Sequence, residues 1–209
     1  MSGFARIGWR RGGLGLALAA VLMLMAIRLC THVQAGEPEI ALLIGEPYEA
    51  MRQRSSAAID PAIPNETWYN VPHTDARLRF IDKQYGFVTP PASFFTVGYS
   101  KGVVDSVRMS PQIEPLLLDD TLKIVLNLQD QLRKGGWVSI GAKEDPPFAD
   151  TPEWRAQLRN VDKGGTAYWQ AGEKYQVMLD VGRFKDVRHP TEERYLISLD
   201  LAKPWVDSR

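Results

Sequence analysis

The sequence predicts an α+β fold: an antiparallel β-sheet backed by helices on one face, forming a single exported domain over residues 37–209. Three observations predict it. Several short runs alternate apolar and polar residues with period two, as a half-buried strand requires. One long segment instead repeats its apolar residues at helical spacing, Leu118, Leu122, Val125, Leu128 and Leu132. Strands follow one another with few helices between them, the order that favours antiparallel sheet over parallel βαβ units.

Taken in order, residues 37–44 are short and largely apolar, and a helix is expected over 46–55 with Pro47 in its first turn, where a missing N–H costs nothing. Residues 57–72 contain Pro61, Pro64 and Pro72 and read as an extended, proline-rich connection. Asn65-Glu66-Thr67 within it fits a glycosylation triplet, which the reading treats as chance. A short strand is expected over 78–81. Two further strands, 94–99 and 103–109, flank Ser100-Lys101-Gly102, a hairpin signal. In the first, Phe95, Val97 and Tyr99 share a face. In the second, Val103 and Val107 share one, with Asp105 interrupting the pattern.

The clearest helix runs over 118–134. Asp119 or Asp120 is expected to cap it, Arg133 and Lys134 suit its last turn, and Gly135 ends it. A strand follows over 136–140, then a short helix over 152–158 capped by Thr151. Strands over 166–170 and 174–184 surround Ala171-Gly172-Glu173. In the last strand, 194–201, Tyr195, Ile197, Leu199 and Leu201 point inward.

The first 36 residues speak to location. Arg6, Arg10 and Arg11 precede an apolar run from Leu14 to Ile27, and small residues stand at Val33 and Ala35. That is the pattern of a secretory signal cleaved near Ala35. Retained, the segment over 13–30 would be an inner-membrane anchor, although a bilayer span calls for about 20 apolar residues. Both readings place the domain in the periplasm, because the arginines hold the N-terminus in the cytoplasm. Four of the 25 basic residues and none of the 25 acidic ones lie in this segment, so residues 37–209 carry a formal net charge of −4. Such a balance argues against nucleic acid as a partner. The only cysteine, Cys30, precedes the domain, which therefore rests on packing rather than disulfides.

Candidate chemistry is sparse, and neither a cofactor nor a metal is expected. His73 beside Asp75, with Ser93, Ser100 or Ser110 as nucleophile, is the one arrangement resembling a triad, and no serine lies in a Gly-x-Ser-x-Gly turn. His189 before Pro190 reads as turn chemistry. Glu144, Asp145, Asp150 and Glu153 supply carboxylates for a glycosidase-like pair, whose separation a sequence does not give. No His-Glu-x-x-His or calcium-loop spacing occurs.

One segment has the composition of a recognition loop. Residues 141–154, GAKEDPPFADTPEW, combine Glu144, Asp145, Asp150 and Glu153 with Phe148 and Trp154, stiffened by three prolines. A preorganised acidic loop with aromatic anchors loses little entropy on docking. These six residues are the expected partner-binding site. In the competing reading, the acids are a solvated surface and the two rings belong to the core.

The signal or anchor, then VVDSVRMSP at 103–111, then LLLDDTLKIVLNLQDQLRKGGW at 116–137, together resemble the exported immunity proteins encoded beside type VI secretion effectors, among them lipase and phospholipase toxins. The resemblance covers roughly residues 94–140 and is one of overall pattern, so it assigns no functional residue. It implies a periplasmic, non-catalytic inhibitor that binds and blocks a secreted antibacterial toxin. An accessory or assembly factor of an envelope or secretion complex is the alternative, and an envelope hydrolase the second alternative.

Overall fold

The computed structural model describes residues 36–141 and 143–206. The signal or anchor segment expected over 1–36 lies almost wholly outside the described residues. No described helix is long and apolar enough to cross a membrane.

The described residues form ten strands and three helices: β1 (Glu39–Leu42), α1 (Tyr48–Arg54), β2 (Thr67–Asn70), β3 (Ala76–Phe80), β4 (Phe87–Ala92), β5 (Phe94–Ser100), β6 (Val103–Ser110), α2 (Leu118–Lys134), β7 (Val138–Ile140), α3 (Pro152–Arg159), β8 (Gly165–Ala171), β9 (Tyr175–Phe184) and β10 (Arg194–Ala202). Seven strands form one antiparallel sheet in the order β2-β5-β6-β10-β9-β8-β7. The other three form a small sheet, β1-β3-β4, in which β1 runs parallel to β3. Helix α2 packs against β10 of the large sheet and β4 of the small one, so the core lies between the two sheets. The expected class, α+β with helices on one face of an antiparallel sheet, is what forms.

Every residue of the α2 stripe is buried, Leu118, Leu122, Val125, Leu128 and Leu132, and Ile124 and Leu126 pack at its margin. Gly135 caps the C-terminus as expected. The N-terminus differs from expectation. The N-cap is Leu117, with no side-chain cap, and Asp119 and Asp120 sit in the first turn, where they complement the helix dipole instead. In α3, by contrast, Thr151 accepts a hydrogen bond from the Trp154 amide, as its position predicts.

The inner face of the large sheet is apolar in each of its five central strands. It presents Phe95, Val97 and Tyr99 from β5, Val104, Val107 and Met109 from β6, and Tyr195, Ile197, Leu199 and Leu201 from β10. Strands β9 and β8 add Val177, Leu179, Val181, Ala167, Trp169 and Ala171. The hairpin between β5 and β6 turns through two residues, Lys101 and Gly102, both at positive φ (50° and 76°). This is the left-handed pair that a two-residue hairpin demands. The expected face shared by Val103 and Val107 is corrected: Val104 is buried and Val103 is exposed. Gly98 pairs with Ser106 but Tyr99 pairs with Val104, leaving Asp105 as the extra residue of a β-bulge. A bulge shifts the alternation by one residue, which explains why the sequence pattern breaks at Asp105.

Three strands fall where none is expected, and the first, β1, forms from the short apolar run at 37–44 and lies at the edge of the small sheet. β2 lies inside the proline-rich connection, and β4 carries Pro90 and Pro91. β2 and β4 are edge strands too, where a proline or a missing partner is tolerated. The edge of β4 is closed by a side chain: Gln131 of α2 accepts a hydrogen bond from the Val88 amide (2.9 Å) and donates one to its carbonyl (3.0 Å).

Candidate functional site

The acidic loop folds against the body rather than standing free. Phe148 is 2% exposed, and its ring packs on Trp154 with centroids 4.8 Å apart. A methyl group on Gly165 would lie 2.6 Å from the Trp154 ring and 2.9 Å from the Phe148 ring, so β8 needs glycine there to admit both. The Phe148 backbone is held by Gln129 of α2, which is fully buried. Its amide oxygen accepts from the Phe148 N–H and its nitrogen donates to the Phe148 carbonyl, both at 2.9 Å. Asp150 pairs with Arg155, whose guanidinium holds the carboxyl below its usual range, and Arg155 also bonds Asp119. Glu153, hydrogen-bonded to its own amide and to Thr151 at the start of α3, is likewise lowered. Phe148 and Trp154 therefore serve packing, and Asp150 and Glu153 serve the helix start. Of the six residues, Glu144 (exposed) and Asp145 (half-buried) have no such structural employment.

Gln129 makes a sharp prediction. Gln129→Leu keeps the volume but leaves a buried N–H and C=O unpaired. Chemical denaturation should show a loss of about 2–4 kcal/mol, since each orphaned buried group costs roughly 1–3 kcal/mol.

The hydrolytic candidates do not assemble. His73 pairs with Asp60 (Nε2 to Oδ1, 3.0 Å) rather than Asp75, and both side chains are largely solvated. The hydroxyls of Ser93, Ser100 and Ser110 bond to the Ile113 carbonyl, Thr67 and the Ile197 carbonyl. The His189 amide closes a turn onto the Asp186 carbonyl. Among the described residues, no group of three His, Cys, Asp or Glu is placed to hold a metal.

What the structure does assemble is the outer face of the large sheet, which carries an open groove and a smaller cavity. Strand register places side chains there in rows. One row runs Tyr69, Gly98, Ser106, Ala202, Gln176 and Gln170. The next runs Thr96, Arg108, Asp200, Met178 and Tyr168, and a third Phe94, Ser110, Ser198, Asp180 and Thr166. The middle of the face, over β6 and β10, is made mostly of small or short polar side chains, Ser106, Ser110, Ser198, Asp200 and Ala202, with Arg108 standing among them. Larger ones stand on either side, so the face is a trough. On the β2 side Trp68, Tyr69, Val71 and Phe94 line an open groove of about 650 Å³ together with Thr96, Asp105, Ser106 and Arg108. Trp68, Tyr69 and Phe94 are each at least half exposed (54%, 50% and 50%). The floor needs Gly98, because a Cβ there would meet the Ser106 hydroxyl at 2.2 Å and the Asp105 carboxylate at 2.7 Å. The bulge at Asp105 turns two consecutive side chains, Asp105 and Ser106, toward this groove.

The centre of the face carries one ion pair, Arg108 to Asp200 at 3.6 Å. Burial raises the Asp200 carboxyl above its usual range. Arg108 opposes that rise and neighbouring Asp180 adds to it. On the far side of the trough the chain returns after β10 and crosses the face. Gln176 of β9 is fully buried beneath it: its oxygen accepts from the amides of Trp205 (3.1 Å) and Val206 (3.0 Å), and its nitrogen donates to the Val206 carbonyl (2.9 Å).

Sequence reasoning singled out the acidic loop and missed the trough. Trp68, Tyr69 and Phe94 are scattered along the chain, and only the β2–β5 pairing brings them together. A readable signal existed in Thr67-Trp68-Tyr69-Asn70, four strand-compatible residues set between prolines. Compared with known proteins, the chain matches no family model, no curated protein and no solved structure.

Proposed function

We propose that this chain is a non-catalytic protein-binding module of the cell envelope, and most concretely a periplasmic immunity protein that binds and blocks a secreted antibacterial toxin. One observation carries the binding reading: three half-exposed aromatics, Trp68, Tyr69 and Phe94, stand beside Arg108 around one open groove on the outer sheet face. Trp, Tyr and Arg are the residues that dominate binding energy at protein interfaces, and soluble proteins rarely leave such patches exposed without use. The toxin and the periplasm come from the resemblance and the N-terminal segment. The groove supports inhibition by coverage, in which the aromatic wall anchors the partner and the trough receives a protruding element of it.

The test is a pull-down from periplasmic and membrane fractions with the tag at Arg209, read by mass spectrometry. One stoichiometric prey with hydrolase or lipase features is expected. A multi-component membrane machine as prey would overturn the inhibitor reading in favour of an assembly factor. Glu144 and Asp145 then act from outside the groove. Reversing both charges is expected to slow association several-fold at low salt and leave the melting temperature unchanged, as long-range electrostatics acts on the on-rate. Surface plasmon resonance across ionic strength reads it.

A further inference from the structure

Asp200 holds an oxygen that the described fold leaves without use. Its Oδ2 is buried away from solvent and has no hydrogen-bond partner among the described residues. The side chain as a whole is 24% exposed. It lines a cavity of about 200 Å³ with Ser106, Met178, Ala202 and Trp205, so the returning segment is part of the wall around it. That segment is fixed to the sheet by the Gln176 side chain, through three hydrogen bonds. An ionised carboxylate with a buried, unpartnered oxygen pays a desolvation cost that protonation or hydration removes.

We propose that residues 203–206 form a pH-sensitive strap across the docking face, closed when Asp200 is protonated and loosened when it is ionised. The groups around Asp200 set the balance. From β6 come Arg108, which favours the ionised form, and Ser106. From β9 come Asp180, which disfavours it, and Met178. Trp205 of the strap completes the wall. The closed state buries the carboxyl and the open state hydrates it. A group whose pKa is higher in the closed state stabilises that state at low pH, and the stabilisation is lost as pH rises through the closed-state pKa. Acid therefore closes the strap and reduces the docking face, and neutral pH frees it. The device rests on the geometry of the fold, whatever the partner proves to be.

The amides of Trp205 and Val206 report the clamp directly, because both donate to Gln176. Their hydrogen-exchange protection factors, which remove the intrinsic pH dependence of exchange, are measured on the full chain at mildly acidic and neutral pH, about 4.5 and 7.5. Protection is expected to fall on the order of tenfold at the higher pH, because the ionised carboxyl favours the open state. Asp200→Asn is expected to keep high protection at both pH values. Gln176→Ala lowers it at both, while the β8 and β9 amides stay protected. Arg108→Ala moves the transition to higher pH and Asp180→Asn to lower pH. Protection that does not change with pH, or that changes equally in Asp200→Asn, overturns the strap.

Discussion

Replacing Phe148 with alanine is expected to lower the unfolding free energy by about 3–5 kcal/mol, the usual cost of emptying a buried aromatic site. The site is poorly able to collapse. The ring is wedged between Trp154 and the backbone of Gly165, and Gln129 pins the flanking peptide from both its N–H and C=O. Loss of the ring leaves Trp154 without its stacking neighbour and loosens the loop that leads into α3. Urea titration checks the value. A loss below about 1 kcal/mol, the range of a surface substitution, would mean the loop is not part of the core. The same variant, wherever it remains folded, is expected to bind the partner normally, which separates a packing role from an anchoring one.

The double substitution Tyr69→Ala/Phe94→Ala is expected to do the reverse. Each ring is half exposed and contributes little to the core, so the melting temperature should stay within a degree or two of the parent. Binding should weaken by about 2 kcal/mol per anchor, close to 30-fold each and approaching a thousandfold together if the two act independently. Isothermal titration with the captured prey measures both. Unchanged affinity with an unchanged melting temperature removes the groove from the interface and returns attention to Glu144 and Asp145.

Much of the fold was legible because burial writes a period into the chain. The α2 stripe and the alternation of β10 both stand in the sequence as they stand in the structure, since each presents a single face to the core. The failures have equally physical causes. A bulge reverses the alternation in β6, and Pro90 and Pro91 disguise β4, whose edge position removes the usual objection to proline. The acidic loop looked like a display surface because composition does not reveal direction. Phe148 and Trp154 turn inward only because Gly165 and Gln129 make room and provide bonds, and both lie far away in sequence. The trough was illegible for the same reason: its walls come from β2, β5 and β6 and meet only through register.

Irregular segments of this domain are repeatedly fastened by glutamine. Gln129 holds Phe148, Gln131 holds Val88, and Gln176 holds Trp205 and Val206. Gln112 accepts from the Ile197 amide and donates to the Tyr195 carbonyl. A primary amide offers one acceptor and one donor set, so it can dock on a strand edge as another peptide would. Such fasteners carry no charge and do not themselves titrate, so pH reaches only the Gln176 clamp, through its neighbour Asp200. Their weakness is that they hold only as neutral amides. Conversion of any of the four to glutamate turns the donor into a second acceptor, and at Gln112, Gln129 and Gln176 it puts a negative charge in a buried place. Replacing any one of these glutamines with glutamate is therefore expected to loosen the segment that it holds before the sheets give way.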